Sequence, residues 1–402
     1  MIFGVLAPAV LSALLLVAAR PVQAQTGRDI YRFKNSPDGS DPQSSLTSFE
    51  ANFYGTTAGG GVFGDGTVFE LSADGGGDWH ETVLYSFPGG ADGSSPRSSV
   101  VFDSVGNLYG TTYFGGDTRC GLGDGCGVVF KLSPVGGSWK ETVLHKFNGG
   151  SDGANPLNNL IIDPAGNLYG TTDPFGNGAD SRIATVFEVS PSGGHWTTRV
   201  IYSVPRTGFA GLTMDADGNI FGASSHTVFE LSPDGNGGWN STLIHQFTQN
   251  GEFGNFSTPV LDQKGNLYGT TFGGGIYNYG TVYKLSPIEK GEKKGEWRSR
   301  NLYSFKGPSL DDGYYPETGV VLDAAGNIYG TTIPNVFELV APVGKGNYTY
   351  EEKILWTFTD RDGYQTMASP ILGTTGKLYG TTTEGGTRCR PDGCGVVFEV
   401  TP

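Results

Sequence analysis

The chain has 402 residues, of which 66 are Gly, 12% are aromatic, 16% are charged and only 3 are Met. That balance suits many short strands joined by tight turns, and with no sustained helical apolar period anywhere it excludes a helical protein. A formal net charge of −14, with no concentration of Lys and Arg apparent along the chain, argues against nucleic acid as a partner.

Taken in order, the first segment runs Met1-Ile-Phe-Gly-Val-Leu-Ala-Pro and stays apolar through Ala19, then gives Arg20-Pro-Val-Gln-Ala24. An apolar core followed by small residues at Val22 and Ala24 reads as an export signal cleaved after Ala24. Residues 1–24 are therefore expected to be a signal peptide, and 25–402 one domain without an internal linker. The alternative is an uncleaved anchor, since the apolar run of about 18 residues is at the lower limit for crossing a bilayer. The expected location is secreted or periplasmic, as a monomer with no membrane contact after cleavage.

A repeat governs everything that follows. The motif Asn-Leu-Tyr-Gly-Thr-Thr, or a close variant, places its Gly at positions 55, 110, 170, 222, 269, 330 and 380, with gaps of 55, 60, 52, 47, 61 and 50 residues. Such spacing holds four short strands and their loops. In the sixth unit Gly319-Val-Val-Leu-Asp323 is a strand and Asp323 to Gly326 a tight turn. Asn327 to Thr332, Asn335 to Leu339 and Ile354 to Phe358 are the next three strands. Asp at the head of the turn and Gly at its end suit a type I turn with a Gly bulge, and the pattern recurs from Asp103, Asp163, Asp215 and Asp262. The fourth-strand pattern appears first, at Ile30-Tyr-Arg-Phe33, and the chain stops on a third strand, Val396 to Val400. The N-terminal strand is thus expected to complete the last sheet and close the ring. The fold class predicted is all-β, a seven-bladed β-propeller of four-stranded antiparallel blades.

Two loops carry the cysteines, Cys120 with Cys126 and Cys389 with Cys394, each in a Thr-Arg-Cys…Gly-Cys-Gly-Val-Val-Phe context. Two local disulfides in an oxidising compartment are expected. A four-Cys zinc site is disfavoured because the pairs lie far apart in the chain.

The repeated Gly-Asn-Leu-Tyr-Gly-Thr-Thr, Gly-Thr-Val-Phe-Glu-Leu-Ser and Val-Leu-Tyr-Ser-Phe resemble the GloVer tandem repeat of exported bacterial proteins, over nearly the whole mature chain. The first two strands of each unit also look like the NHL class of propeller repeat. The resemblance implies a propeller, export and no agreed activity. Family members carry assorted surface anchors, whereas this sequence ends at Pro402 without a sorting tail, so anchoring is not expected.

In such a blade order the loops from fourth to first strands and from second to third strands share one face. The first kind repeats Asp-Gly-x-x-Pro at Asp92, Asp152 and Asp312, with a partial copy at Asp362. These carboxylates are candidates for a ligand's hydroxyls, although Asp as a turn cap and Gly at positive φ explain the motif without one. One Asp per blade cannot supply the six to eight oxygens of a calcium ion, and no metal or other cofactor is expected. Aromatic residues of the same loops, Tyr113, Phe114, Phe175, Phe272, Tyr277, Tyr314, Tyr315 and Tyr364, with His226, are candidates for contact with carbohydrate or a protein partner. The recurrent Tyr before each repeat Gly is expected to pack between blades. Trp79, Trp139, Trp196, Trp239 and Trp297, each four residues before a fourth strand, are expected to be structural. Inner strands are apolar and four of the five His lie on or beside outer strands, so no catalytic residue is assigned. A secreted, non-catalytic binding or scaffold propeller is the expectation. The alternative is a propeller lyase or glycan hydrolase with carboxylates at the channel mouth.

Overall fold

A computed structural model describes residues 26–120, 123–173, 183–205, 208–247, 254, 257–291, 295–344, 349–359, 361, 363–386, 389 and 393–402; the expected signal peptide and Phe175 lie outside them. Seven four-stranded antiparallel sheets form a β-propeller. Blade 1 holds Thr47–Phe49, Asn52–Thr57, Thr67–Ala73 and Trp79–Ser86. Blade 2 holds Val101–Phe102, Leu108–Thr112, Val128–Val135 and Ser138–Lys146, and blade 3 Ile161–Ile162, Leu168–Thr171, Ile183–Ser192 and His195–Pro205. Blade 4 holds Phe209–Met214, Ile220–Ser224, Thr227–Pro233 and Trp239–Gln246, and blade 5 Val260–Leu261, Leu267–Thr271, Thr281–Pro287 and Trp297–Ser304. Blade 6 holds Val321–Leu322, Ile328–Thr331, Asn335–Val340 and Glu351–Thr357. Blade 7 takes Ile371–Leu372, Leu378–Thr382 and Val396–Thr401 from the C-terminus and Thr26–Arg32 from the N-terminus. The closing register runs from Thr26↔Thr401 to Arg32↔Val396, so the two chain ends share one sheet as expected.

Each residue of the repeat motif has a structural reason. The third-strand aromatic, Phe69, Phe130, Phe187, Phe229, Tyr283, Phe337 or Phe398, is buried, and its ring lies on the repeat Gly: a Cβ at Gly110 would stand 2.6 Å from Phe130 Cζ. No side chain fits there. The first Thr ties neighbouring blades together around the channel, Thr56 Oγ1 donating to Ser98 O (2.9 Å), Thr270 Oγ1 to Thr318 O (2.8 Å) and Thr381 Oγ1 to Ser44 O (2.9 Å). The last of these crosses the ring's seam. The second Thr bonds within its own blade, Thr57 to Thr67 at 2.7 Å and Thr271 to Thr281 at 2.8 Å.

The repeat Tyr packs between blades and also finds a polar partner, as a buried phenol requires. In four blades its hydroxyl donates to the Asp that heads the tight turn: Tyr109 to Asp103, Tyr169 to Asp163, Tyr268 to Asp262 and Tyr329 to Asp323. Blades 1 and 7 lack that Asp, and there Tyr54 and Tyr379 donate to the third-strand Glu70 and Glu399. Burial, reinforced by those carboxylates, pushes both phenols up to about 12. Blade 4 has Phe221 instead.

The Trp residues sit differently from expectation. They lie within the outer strands, Trp79, Trp239 and Trp297 as first residues, and Trp79, Trp196, Trp239 and Trp297 pack edge-on against the second-strand aromatic of the adjacent blade, as Tyr169 does on Trp239 at 5.7 Å. The outer strands are longer than their apolar runs because their first halves alternate with solvent-facing polar residues.

Candidate functional site

Both expected kinds of loop meet on one face. Fourth-to-first and second-to-third loops are zipped together there by bridges such as Ser94↔Phe114, Pro156↔Thr172, Tyr314↔Ile333 and Tyr364↔Glu384. Two disulfides, Cys120–Cys126 and Cys389–Cys394, staple loops of the same face. The Asp-Gly-x-x-Pro motif aims the residue after its Pro at the central channel. In chain order those residues are Gln43, Arg97, Leu157, Glu317 and Met367 (which follows Thr366 in place of Pro), joined by Phe209 from blade 4 and Thr258 from blade 5. Every blade therefore contributes to one cavity of about 330 Å³ at the channel mouth.

Its floor is hydrogen-bonded from blade to blade. Asn159 Oδ1 accepts from Ser99 N (3.1 Å) and Ser99 Oγ (2.7 Å), Ser369 Oγ accepts from Gly319 N (2.7 Å), and Asn158 Nδ2 donates to Phe209 O (2.9 Å). Above that satisfied ring stand groups of a different kind. Leu157 and Met367 remain 37% and 47% exposed. Arg97 lies 4.1 Å over the Tyr113 ring, and Tyr113 donates to Asp173 Oδ2 at 3.2 Å, so a loop aromatic holds a channel cation in place. Asp41 bonds Gln43 Nε2 at 2.8 Å; burial raises its carboxyl, opposed by Gln43 and Arg97. Glu317, on blade 6, is raised by burial alone. Among the described residues Arg97 and Glu317 form no ion pair with each other, and they enter the cavity from blades that are three apart.

The sequence-derived candidates fall into three groups. Tyr113 and Phe114 stand beside Arg97. Phe272 stacks on Tyr315 at 4.7 Å, and Tyr279 packs against Tyr314 and Tyr315, forming a cluster of loop aromatics between blades 5 and 6. Tyr277 and Tyr364 are 44% and 42% exposed, and His226 is also exposed.

The Asp residues are drawn into the seams between blades. Asp152 takes His145 Nε2 and Asn148 N, both at 3.2 Å. Asp312 takes Tyr303 Oη (2.7 Å) and Lys306 N (3.0 Å). Asp38, in the first copy of the motif, takes Tyr31 Oη (2.8 Å) and Lys34 N (3.1 Å). A carboxyl of the next outer strand joins Asp38 and Asp312, Glu81 in the first case and Glu352 in the second. Burial, then the charge of Asp38 or Asp312, pushes the Glu81 and Glu352 carboxyls upward. At the corresponding seam burial raises Glu141 to about 7, with Asp92 adding to the shift and the Tyr85 hydroxyl (2.8 Å) opposing it.

Sequence reasoning missed Arg97, Glu317, Leu157 and Met367. The signal was present in the one variable position that follows each motif Pro. Among the described residues no group of three or more His, Cys, Asp and Glu could hold a metal ion, and no helix is long and apolar enough to cross a membrane.

Comparison with solved structures gives the fold and no more. A virginiamycin B lyase from Staphylococcus aureus is 11% identical, with a TM-score of 0.57 over 94% of this chain and 99% of that one. A streptogramin B lyase is 12% identical, with a TM-score of 0.56 over 94% and 97%. An ancestral GH74 enzyme is 13% identical, with a TM-score of 0.53 over 93% of this chain and 48% of that one. No curated protein matches the sequence. The profile of the Gloeobacter/Verrucomicrobia repeat matches residues 20–226 and 213–402, nearly the whole length, and the chain belongs to that family.

Proposed function

We propose that the protein is an exported binding module that takes a carbohydrate at the mouth of its central channel. The supporting observation is the cavity to which all seven blades contribute, where amides, a cation, a carboxyl and exposed apolar side chains converge. Concave sites with an apolar lining and a few placed polar groups are where small ligands bind. Amides beside Leu157, Phe209 and Met367 match the hydroxylated edges and apolar faces of a sugar. Export is supported by two disulfides and by an N-terminal sequence that reads as a signal peptide.

Binding without turnover is the better reading because the described lining holds one carboxylate and no His. Glycoside hydrolysis calls for a pair of carboxyls. A single burial-raised carboxyl facing a guanidinium could still serve proton abstraction, so the test must include turnover. The mature chain would be screened on a glycan array and the same sugars assayed for cleavage, alongside Arg97→Ala, Glu317→Gln and Met367→Trp. The reading expects binding that each variant weakens at least about tenfold and no cleavage. Cleavage lost in Glu317→Gln would replace it with a lyase, and binding unaffected by all three would remove the channel mouth as the site.

A further inference from the structure

The basic residues are spread unevenly, which the linear sequence reading did not register. Residues 264–300 hold seven of the chain's 26 Lys and Arg but only three of its 40 Asp and Glu. Strand register shows what this does. One pair of facing positions on the third and outer strands recurs in every blade, and at three blades it carries opposite charges: Glu188 with Arg199 (2.6 Å), Glu338 with Lys353 (3.2 Å) and Glu399 with Arg28 (3.1 Å). Blades 1, 2 and 4 set Glu70, Lys131 and Glu230 opposite Thr82, Thr142 and Thr242. Blade 5 alone sets Lys284 opposite Arg300, with Ser286 opposite Arg298 two pairs further along, on the same face of the sheet. Like charges directly across a sheet are destabilising.

These four side chains, with Pro287 and Ile288, line a cavity of about 440 Å³. It lies toward the end of the propeller away from the loop face, because the third strand runs from that face. Lys284 rests 5.1 Å over the Tyr268 ring. Burial lowers its ammonium, and Lys264 and Arg300 push the same way. The nearby carboxylate, Asp262, opposes them but is engaged by its own turn, accepting from Lys264 N, Asn266 N, Asn266 Nδ2 and Tyr268 Oη. Among the described residues neither Lys284 nor Arg298 forms an ion pair.

We infer that blade 5 carries a second binding site, for a tetrahedral oxyanion, sulfate or phosphate, held by Lys284, Arg298, Arg300 and the Ser286 hydroxyl. Guanidinium forks and an ammonium match such oxygens in charge and geometry, and a stability cost accepted at one blade of seven is the mark of a functional position.

The test titrates the full mature chain, at fixed ionic strength, with inorganic phosphate, inorganic sulfate, dextran sulfate and neutral dextran. Saturable binding of the anions and none of neutral dextran is expected. Lys284→Glu, which restores the carboxylate–guanidinium pairing of blade 3, should weaken anion binding at least about tenfold and raise the unfolding temperature in anion-free buffer. Arg298→Gln should weaken binding while leaving the fold intact, and Lys131→Gln in blade 2 should change nothing. Dextran sulfate bound more tightly than free sulfate places the oxyanion on a larger molecule, whereas equal affinity per sulfate makes the free ion the ligand. Absence of saturable anion binding, or binding that survives both Lys284→Glu and Arg298→Gln, overturns the inference.

Discussion

Replacing Gly170 with Ala isolates the contact on which every blade depends. A Cβ there would stand 2.5 Å from Phe187 Cζ, 2.7 Å from Leu160 Cδ2 and 3.0 Å from Phe187 Cε1. Carbon atoms pack best at about 3.5–4.0 Å, so something must move by about 1 Å. Phe187 and Leu160 are 0% and 1% exposed and lie in one core cluster, which leaves the ring little room to retreat. Overpacking of this kind costs about 1–3 kcal/mol. With an unfolding entropy of about 2.1 cal/mol/K per residue, or about 0.8 kcal/mol/K for a chain of this size, the melting temperature should fall by about 1–4 °C. Thermal unfolding followed by circular dichroism measures that fall, and urea unfolding followed by Trp fluorescence measures the free-energy cost. Phe187→Leu shortens the obstructing ring, so the double variant should lose at least about 1 kcal/mol less than the sum of the singles. A cost below about 0.5 kcal/mol, or simple additivity, would refute the steric account of the repeat Gly.

The seam carboxyls predict a pH dependence. Glu81, Glu141 and Glu352 are all raised in the folded state, so folding takes up protons and stability falls as pH rises from the ordinary Glu range through about 7 for Glu141; Glu141→Gln should flatten that slope in urea midpoints measured from pH 4 to 9. Removing the Cys120–Cys126 bridge as Cys120→Ser/Cys126→Ser frees a short loop, and should lower stability by about 2 kcal/mol without altering the far-ultraviolet spectrum. Phe33, 1% exposed against Phe69 at 5.2 Å, follows the closing strand directly; Phe33→Ala should cost about 3–5 kcal/mol, and a smaller loss in thermal unfolding would mean the N-terminal strand adds little to ring closure.

The ring itself was legible because its information is local and repeated. Gly-Thr-Thr, the Asp-headed turn and the displaced strand at Ile30 each specify a neighbour within one blade, and seven copies reinforce the reading. Outer-strand limits were less legible, since the polar residues ahead of Ile354 pair as strand although they carry no apolar signal. The channel mouth escaped for a different reason. Arg97 and Glu317 sit at the same place in their repeats, but only ring closure brings positions 220 residues apart to one cavity. Lys284 and Arg300 became a like-charge pair only once the register was known. The loop Asp residues stood out by recurrence, and recurrence here reflects their shared place in the blade seams.

All of this depends on the two chain ends meeting in blade 7, and side-chain contact there is direct: Arg28 Nε lies 3.1 Å from Glu399 Oε1 across the closing register. Arg28→Cys/Glu399→Cys, oxidised under dilute conditions and mapped by mass spectrometry of non-reduced peptides, tests that meeting. A cross-link within one molecule, formed in nearly every chain and leaving both native disulfides in place, is the outcome predicted. No cross-link, or one found only between molecules, would contradict the closed ring and with it the cavity at the channel mouth.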